Sequence, residues 1–181
     1  METIKPKMAS PFPNLPYLID NERIITESDA ILFYLACLKG REDLYGVDFE
    51  EKLLLLQLRG VIKDVASEIS DLIYNPNYNE QMKEEFLKED GFIQKKLVFL
   101  NKFLVGKQFL TGSNVKYVDF WFYETIQLLQ KLSPKMVEKY ETFAVLTGNI
   151  RKLNGIETYL KSPIFNANKT FSNQIHSISN I

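Results

Sequence analysis

Apolar positions in the first forty residues follow a different pattern from those in the rest of the chain. An apolar run at 17–19 and a second run at 23–26 are separated by three polar residues. Two short runs of strand-forming residues on either side of a brief polar turn predict a β-hairpin. From Ser28 the apolar residues recur at helical spacing, with Ser28 as a suitable N-cap and Gly40 as a stop signal.

The residues after position 48 are patterned almost entirely as helices. Between 49 and 73 apolar residues recur in steps of three and four, and a second long stripe runs from about 80 to 104, with Gly91 as a weak point inside it. The segment 115–132 has almost no polar face, so we expect its helix to be central and buried. Shorter helical segments are predicted from 134 onward, at 142–153 and at 156–160. In the first long helix, the residues expected to face the core are Leu54, Leu58, Val61, Val65, Ile69 and Leu72.

These patterns predict a mostly α-helical protein. A small α/β fragment, made of the hairpin and one helix, precedes a bundle of about five helices. The segment 11–16, which leads into the hairpin, contains three prolines. Each proline fixes its own φ and favours extended geometry in the residue before it, so we expect a loop there.

Composition excludes several classes of function. The 181 residues include 22 basic and 23 acidic side chains, which gives no general attraction for nucleic acid or anionic lipid. The longest aliphatic run, at 53–56, is far too short to span a bilayer. One Cys and one His exclude an internal disulfide, a His-rich metal site and the His-dependent catalytic triads. Since the N-terminus resembles no signal or import segment, we expect a cytoplasmic protein without a metal, a nucleic-acid partner or membrane insertion.

Several motifs, in order along nearly the whole chain, resemble those of the glutathione S-transferases and of the mu class in particular. They are Phe-Pro-Asn-Leu-Pro-Tyr-Leu-Ile-Asp at 12–20, Ile-Thr-Glu-Ser-Asp-Ala-Ile at 25–31, Tyr-Asn-Pro at 74–76, Tyr-Val-Asp-Phe at 117–120 and Tyr-Leu-Lys-Ser-Pro at 159–163. The resemblance implies an incomplete thioredoxin-like part at 1–40, the family's all-helical C-terminal domain at 48–165 and a tail at 166–181. It also implies glutathione as substrate or ligand.

The resemblance assigns glutathione contacts to the loop before the hairpin. In the family the proline of the Leu15–Pro16 pair is cis, an isomer that costs proline only ~0.5–1 kcal/mol. The main chain of Leu15 would then pair with the cysteinyl part of glutathione, as an added strand would. Asn14 would contact the same tripeptide. Alternatively, a Pro-rich turn before a hairpin needs no ligand.

Glu27 and Ser28 lie where a predicted strand passes into a predicted helix. The free N–H groups and the positive end of a helix favour a carboxylate. Ser28 adds a hydroxyl donor and Glu27 an acceptor for an ammonium, so the pair suits the γ-glutamyl end of glutathione, which carries both charges. The mu class more often has Gln at the position of Glu27, although other classes use Glu. The alternative for Ser28 is an ordinary N-cap.

Four further residues match family positions that have other roles. Lys5 falls where the family places a lysine that reaches the glycyl carboxylate, and Asp64 matches an aspartate that contributes to the partner subunit's glutathione site. A solvated charge is the alternative for each. Tyr74 matches a tyrosine that borders the electrophile pocket, with core packing as the alternative. Phe12 resembles the aromatic side chain that mu-type subunits insert between two helices of their partner, which predicts a homodimer, and burial in its own chain is the alternative.

One match is imperfect at the start of the helix predicted at 115–132. In the family an aspartate at the third helical position, here Asp119, pairs with a Ser or Thr N-cap. Lys116 stands at that cap position, and its side chain cannot accept a hydrogen bond from an N–H group. We therefore expect a loss of about 1 kcal/mol of capping, unless Asn114 or Ser113 substitutes.

The resemblance also indicates what is missing. The mu-class catalytic hydroxyl belongs to a tyrosine at the end of the first strand, whereas only some ten residues precede the motif that begins at Phe12. The first βαβ unit, of more than ~30 residues, does not fit there, so we expect no residue of this chain to occupy the catalytic position.

Two interpretations of the whole chain follow. The first is a glutathione S-transferase-like protein that is not self-sufficient in catalysis and acts as a glutathione-binding or structural subunit. The second is an active transferase whose catalytic N-terminal segment is missing from this sequence. A lone hairpin is marginally stable and has unpaired edges. We therefore expect it to be covered by a second copy or a larger protein assembly, to be covered by a rearranged N-terminal segment, or to have no stable cover.

Overall fold

The computed structural model describes residues 10–165. Strands β1, Tyr17–Asp20, and β2, Arg23–Thr26, pair as an antiparallel two-stranded sheet, and a 3₁₀ turn at Glu42–Tyr45 follows the first helix. The helices are α1, Ser28–Leu38; α2, Phe49–Ile73; α3, Glu80–Phe86; α4, Phe92–Leu104; α5, Tyr117–Leu132; α6, Pro134–Glu138; α7, Glu141–Arg151; and α8, Asn154–Leu160. The predicted fold class, a hairpin and helix followed by a helical bundle, is confirmed.

The hairpin and α1 form a small unit. Asp20 pairs with Arg23 across the turn, and the carboxylate of Asp20 accepts a hydrogen bond from the hydroxyl of Tyr34 on α1. The Arg23 guanidinium lies 5.3 Å from the centroid of the same tyrosine ring. These contacts hold the middle of α1 against the turn of the hairpin.

The prediction of one long helix between about 80 and 104 is wrong. Gly91 is the N-cap of α4, and its backbone N–H donates to the carbonyl of Lys88 at 3.0 Å, which closes a turn between α3 and α4. A Cβ atom at position 91 would lie 2.9 Å from that carbonyl oxygen, so the tight turn requires glycine. The apolar period continues across the break, which is why the pattern alone indicated a single helix.

Helix α5 is central, as predicted. It packs against α2, α6 and α7, and its side chains Val118, Phe122, Ile126 and Leu129 are buried. On α2 the predicted stripe is correct at Leu58, Val65, Ile69 and Leu72, whereas Leu54 and Val61 are only half-buried. Leu55 and Ile62 take their places in the core, so the buried stripe is rotated slightly from the predicted one.

At the N-terminus of α5 a buried aspartate, and no side chain at the N-cap position, accepts hydrogen bonds from backbone N–H groups. Asp119 is fully buried, and its two carboxylate oxygens accept hydrogen bonds from the backbone N–H groups of Lys116 and Leu110, each at 2.7 Å. Lys116 provides no capping acceptor, as expected, but its ammonium group lies 2.8 Å from the carboxylate of Glu51 and 2.9 Å from the carbonyl of Asp43. The lysine thereby ties α5 to the first turn of α2 and to the 3₁₀ turn.

Burial is uneven between the two parts of the chain. Among residues 10–40 only Thr26 and Ala36 are buried, and apolar side chains of this unit are exposed, including Ile19 at 59%. The hydrophobic core extends from Leu55 to Ile150 and contains no side chain of the hairpin. The helical part therefore supplies nearly all of the buried apolar surface.

The buried carboxylate leads to a prediction about pH dependence. Burial raises the pKa of Asp119 from 3.8 to about 6, although the two backbone N–H groups oppose the shift. The folded protein then holds this proton more tightly than the unfolded chain does. The free energy of unfolding should therefore fall as the pH rises from about 4 to about 6 and stay constant above that range. The size of the effect is on the order of 3 kcal/mol.

Urea unfolding of the wild type and of Asp119→Asn at several pH values isolates this contribution. Asparagine does not titrate, so the wild-type free energy minus that of the variant should fall across the same interval. The amide also places an N–H donor against a backbone N–H, which adds a constant offset. Parallel pH curves for the two proteins would show that Asp119 titrates at an ordinary pKa.

Candidate functional site

The loop before the hairpin is held against β2 by two side-chain hydrogen bonds. Thr26 Oγ1 donates to the carbonyl oxygen of Phe12 at 2.8 Å, and Asn14 Nδ2 donates to Glu27 Oε1 at 2.8 Å. The Leu15–Pro16 bond is cis, as predicted. The structure thus brings Asn14 and the Leu15–Pro16 pair together with the residue that precedes α1.

Glu27 is the N-cap residue of α1 and has an unusual backbone conformation, with φ 70° and ψ 121°. Positive φ is disfavoured for residues with a side chain and costs about 1–3 kcal/mol where the surrounding structure imposes it. Among residues 10–165 no side chain caps α1. The N–H groups of its first turn therefore remain available to an anion.

Ser28 does not cap the helix, so that prediction is wrong. Ser28 is the first residue of α1, one position beyond the cap, and is half-buried. Its hydroxyl forms no hydrogen bond with a described residue. The hydroxyl is therefore not committed to the helix and lies directly beside the open N–H groups.

The first turn of α1 is anchored to the helical part of the chain by a residue that sequence reasoning missed. Arg59 on α2 forms two hydrogen bonds with Asp29, from Nε to Oδ1 at 3.0 Å and from Nη2 to Oδ2 at 2.9 Å. The guanidinium carbon also lies 3.9 Å from the centroid of the Trp121 ring on α5. In the sequence Arg59 is one of several basic residues beside the apolar stripe of a long helix, a position more typical of a solvated charge.

An apolar cleft of about 410 Å³ lies beside these residues. Burial raises the pKa of the Glu124 carboxyl in its wall, and the indole N–H of Trp121 has no hydrogen-bond partner among the described residues. Such a surface suits an apolar group or a packed segment of chain. The lining residues are Pro16, Tyr17, Leu18, Ser28, Ile31, Leu32, Phe120, Trp121 and Glu124.

Asp64 and Tyr74 form no hydrogen bond or ion pair with the described residues of the loop or of the first turn of α1. Asp64 is exposed on α2 and pairs with Lys96 on α4 at 2.8 Å. Tyr74 is the half-exposed C-cap of α2, fifteen residues beyond Arg59 in the sequence, which corresponds to roughly 22 Å along the helix axis. Their roles toward a partner's site and an electrophile remain predictions.

Phe12 and Lys5 complete the set of predicted residues. The Phe12 side chain is 74% exposed, so the part of the chain that the structure describes does not bury it. Lys5 lies outside the described residues. Within 10–165 there is no group of three or more His, Cys, Asp or Glu side chains placed to hold a metal ion. No helix in that range has the length and apolar character needed to cross a membrane.

The conformation of Glu27 generates a test by substitution. Glu27→Ala removes the carboxylate but keeps the energetic cost of a positive φ. Glu27→Gly removes the carboxylate and also this cost, because glycine adopts positive φ readily. Glycine is already preferred over alanine at a helix N-cap, and the positive φ of residue 27 should add to that preference, so the glycine variant should be more stable than the alanine variant by about 1–2 kcal/mol. Hydrogen exchange of the α1 amides measures the difference locally. Slower exchange in the alanine variant would show that the backbone is not strained at this position.

Comparison with known proteins agrees with this geometry. The sequence matches the family model described as the glutathione S-transferase C-terminal domain at residues 63–163, and the model of the glutathione S-transferase N-terminal domain at residues 5–37. Together the two matches cover the loop, the hairpin, most of α1 and most of the bundle.

Similar proteins of known sequence include mu-class enzymes. Glutathione S-transferase Mu 1 of Mus musculus is 33% identical over 170 residues, which span 94% of this chain and 75% of that protein. The human Mu 1 enzyme is 32% identical over 92% of this chain and 73% of its own length.

Solved structures show the same fold at lower identity. The glutathione S-transferase Blo t 8 superposes with a TM-score of 0.77 at 23% identity, over 94% of this chain and 78% of that one. The rat hPGDS structure, a complex with a quinoline, gives 0.74 at 22% identity, over 88% of this chain and 77% of its own. With two family models matched in order and relatives above 30% identity along most of its length, the chain belongs to the glutathione S-transferase family and is most similar to its mu class.

Proposed function

We propose that this chain binds glutathione through Asn14, Leu15, Pro16, Glu27 and Ser28. The observation that carries the proposal is the Asn14–Glu27 hydrogen bond, which places the cis Leu15–Pro16 pair beside an uncapped helix N-terminus. Backbone, carboxylate and hydroxyl groups are thereby gathered at one place on the hairpin. A small zwitterionic peptide needs these three kinds of partner.

The charges of the γ-glutamyl end match the groups around α1. Glu27 is exposed, and Asn14 donates to only one of its two carboxylate oxygens, so the other oxygen can accept from an ammonium group. The ligand's carboxylate would accept hydrogen bonds from the Ser28 hydroxyl and from the free N–H groups of the first turn. The backbone of Leu15 would pair with the cysteinyl residue.

We also propose that the chain is not self-sufficient in catalysis. Among residues 10–40 the tyrosines are Tyr17, on β1, and Tyr34, on α1. Two hydroxyls of this unit are already engaged, since Thr26 donates to the Phe12 carbonyl and Tyr34 to Asp20. Of the hydroxyls that are left, that of Ser28 is assigned above to the ligand's carboxylate, and Tyr17 lies in the wall of the apolar cleft. The proposal therefore assigns no described hydroxyl to the thiolate of glutathione. The second candidate, an active transferase, is favoured by the potential ligand-binding groups that lie around the loop and the start of α1. The assay described below separates the two candidates.

Calorimetry with glutathione tests the binding site. Glu27→Gln keeps an acceptor for Asn14 and removes the charge, and Ser28→Ala removes the hydroxyl. Each change should weaken binding by about 10-fold, the effect of losing one charge-assisted hydrogen bond. Glu42→Gln, at an exposed carboxylate in the 3₁₀ turn, is the matched control and should bind as the wild type does. Equal affinity for all four proteins would rule out this site.

The same proteins are assayed for conjugation of glutathione to a chlorodinitrobenzene-type electrophile. We expect no turnover above the uncatalysed rate, because the proposed binding groups include no hydroxyl assigned to the thiolate. Turnover well above that rate by the 181-residue chain would establish the active transferase instead.

We propose further that the chain forms a homodimer through Phe12. The neighbouring helices α2 and α4, bridged by the Asp64–Lys96 pair, expose large apolar side chains such as Leu56 at 67% and Phe99 at 63%. An exposed aromatic residue and an exposed apolar helix pair on one chain can cover each other when two copies associate. Alternatively, a larger assembly could cover the hairpin and the apolar cleft beside β1.

Light scattering of the wild type and of Phe12→Ser tests this association. The wild type should have the mass of a dimer of the 21.1-kDa chain, and the variant should dissociate at least 10-fold more readily because it loses the aromatic anchor. Val145→Ser, at a half-exposed apolar position on α7, is the control and should leave the dimer intact. A monomeric wild type, or a variant that dimerises equally well, would contradict the proposal.

A further inference from the structure

We propose that Arg59 is a positioning residue for the glutathione site. It would hold the first turn of α1 in place through Asp29, and so fix Ser28 and the open N–H groups beside it. The inference rests on the proposed function and adds to it a residue on α2, thirty-one positions away from Ser28 along the chain. Arg59 would not touch the ligand.

The contact with Asp29 fixes orientation as well as distance. Two parallel hydrogen bonds, at 3.0 and 2.9 Å, join the planar guanidinium to the planar carboxylate. A bidentate pair of this kind resists rotation, which a single-point lysine contact does not. Since Asp29 directly follows Ser28 in the sequence, any displacement of the aspartate moves the serine as well.

Arg59 is itself held in place by the bundle. Its guanidinium stacks over Trp121 at 3.9 Å, and its side chain is only 14% exposed. The preceding residue, Leu58, is buried in the core. The Arg59–Asp29 contact therefore fixes the start of α1 relative to the hydrophobic core of the bundle.

The start of α1 has few other supports. Ala36 is the one buried residue among those of α1, and no side chain caps the helix. The remaining contacts of α1 lie further along it, where Tyr34 meets Asp20 and the Phe33 ring packs edge-on against Tyr45, with centroids 5.0 Å apart. Among the described residues, the Asn14–Glu27 hydrogen bond joins the start of α1 to the loop, and the Asp29–Arg59 pair is the ion pair that joins it to the helical bundle.

The pair also adjusts the charge of the site. An unpaired Asp29 in the first turn would repel the carboxylate of a ligand bound at the same helix end. The Arg59 guanidinium compensates this charge at contact distance. Removing Arg59 should therefore weaken binding both by loosening the turn and by exposing a like charge.

The experiment measures affinity and local order in the full chain. Arg59→Met retains the stem and removes the charge, and Arg59→Lys retains the charge and removes the paired hydrogen bonds. Arg59→Met should weaken glutathione binding at least 10-fold, with a smaller loss for Arg59→Lys. Amide exchange should become faster at 28–30 and remain unchanged in α5. Arg41→Lys is the matched control, because Arg41 makes the same two-point contact with Asp43 far along the chain from Ser28.

Two further measurements separate positioning from a general loss of structure. Affinity for γ-glutamylcysteine, which has no glycyl residue, should fall by the same factor as affinity for glutathione, because the affected end of the ligand is present in both. Asp29→Asn changes an exposed side chain and keeps its shape, so it should reproduce the faster exchange even if Arg59→Met folds poorly. The double variant should bind no more weakly than Arg59→Met alone.

The outcomes distinguish the two proposals. If the wild type does not bind glutathione, the proposed function fails and the role of Arg59 fails with it. If the wild type binds while the Arg59 and Asp29 variants match its affinity and its exchange at 28–30, binding stands and the positioning role is overturned.

Discussion

The buried carboxylate of Asp119 fixes the helix on which the rest of the molecule packs. A charge without solvent is unfavourable unless hydrogen bonds and an opposite charge surround it. Here two backbone N–H groups bind the carboxylate, and Lys116, whose own N–H is one of them, extends its ammonium to Glu51 and to the Asp43 carbonyl. One cluster thereby orients α5, the start of α2 and the connection from α1. The proposed site depends on it indirectly, because Trp121 on α5 supports Arg59.

The two parts of the chain differ in how they are stabilised. The bundle buries a continuous apolar core, whereas the hairpin and α1 rely on a few specific hydrogen bonds, an ion pair and aromatic contacts. Regions with few buried apolar contacts open at lower free energy than cores do. The residues proposed to bind glutathione lie in this less buried part. Binding of a ligand or of a partner would therefore stabilise the hairpin and α1, the part of the chain with the fewest buried apolar contacts.

Most of the fold could be predicted from the sequence because its helices are long and strongly periodic. The break at Gly91 could not, since the apolar spacing continues through it and only the close approach to the Lys88 carbonyl reveals the turn. The position of Ser28 was missed by one residue because helix starts depend on backbone geometry at Glu27 that no side-chain pattern encodes. Motifs located the loop residues of the site through family resemblance. Arg59 and the bridging role of Lys116 depend on contacts between residues thirty or more positions apart, which a local pattern does not contain.

The hydrogen bond from Thr26 to the Phe12 carbonyl has a consequence for recognition. It joins an exposed loop to a buried threonine on β2, between prolines that already restrict the backbone. Phe12 is therefore presented to solvent on a chain that has lost much of its conformational freedom during folding. When a partner covers this ring, the main conformational entropy that Phe12 still has to lose is that of its side-chain rotation. The entropic cost of binding would therefore be small and the affinity correspondingly higher. If Phe12 is the proposed dimer contact, the restricted backbone of the loop would contribute to affinity in addition to the apolar surface of the ring.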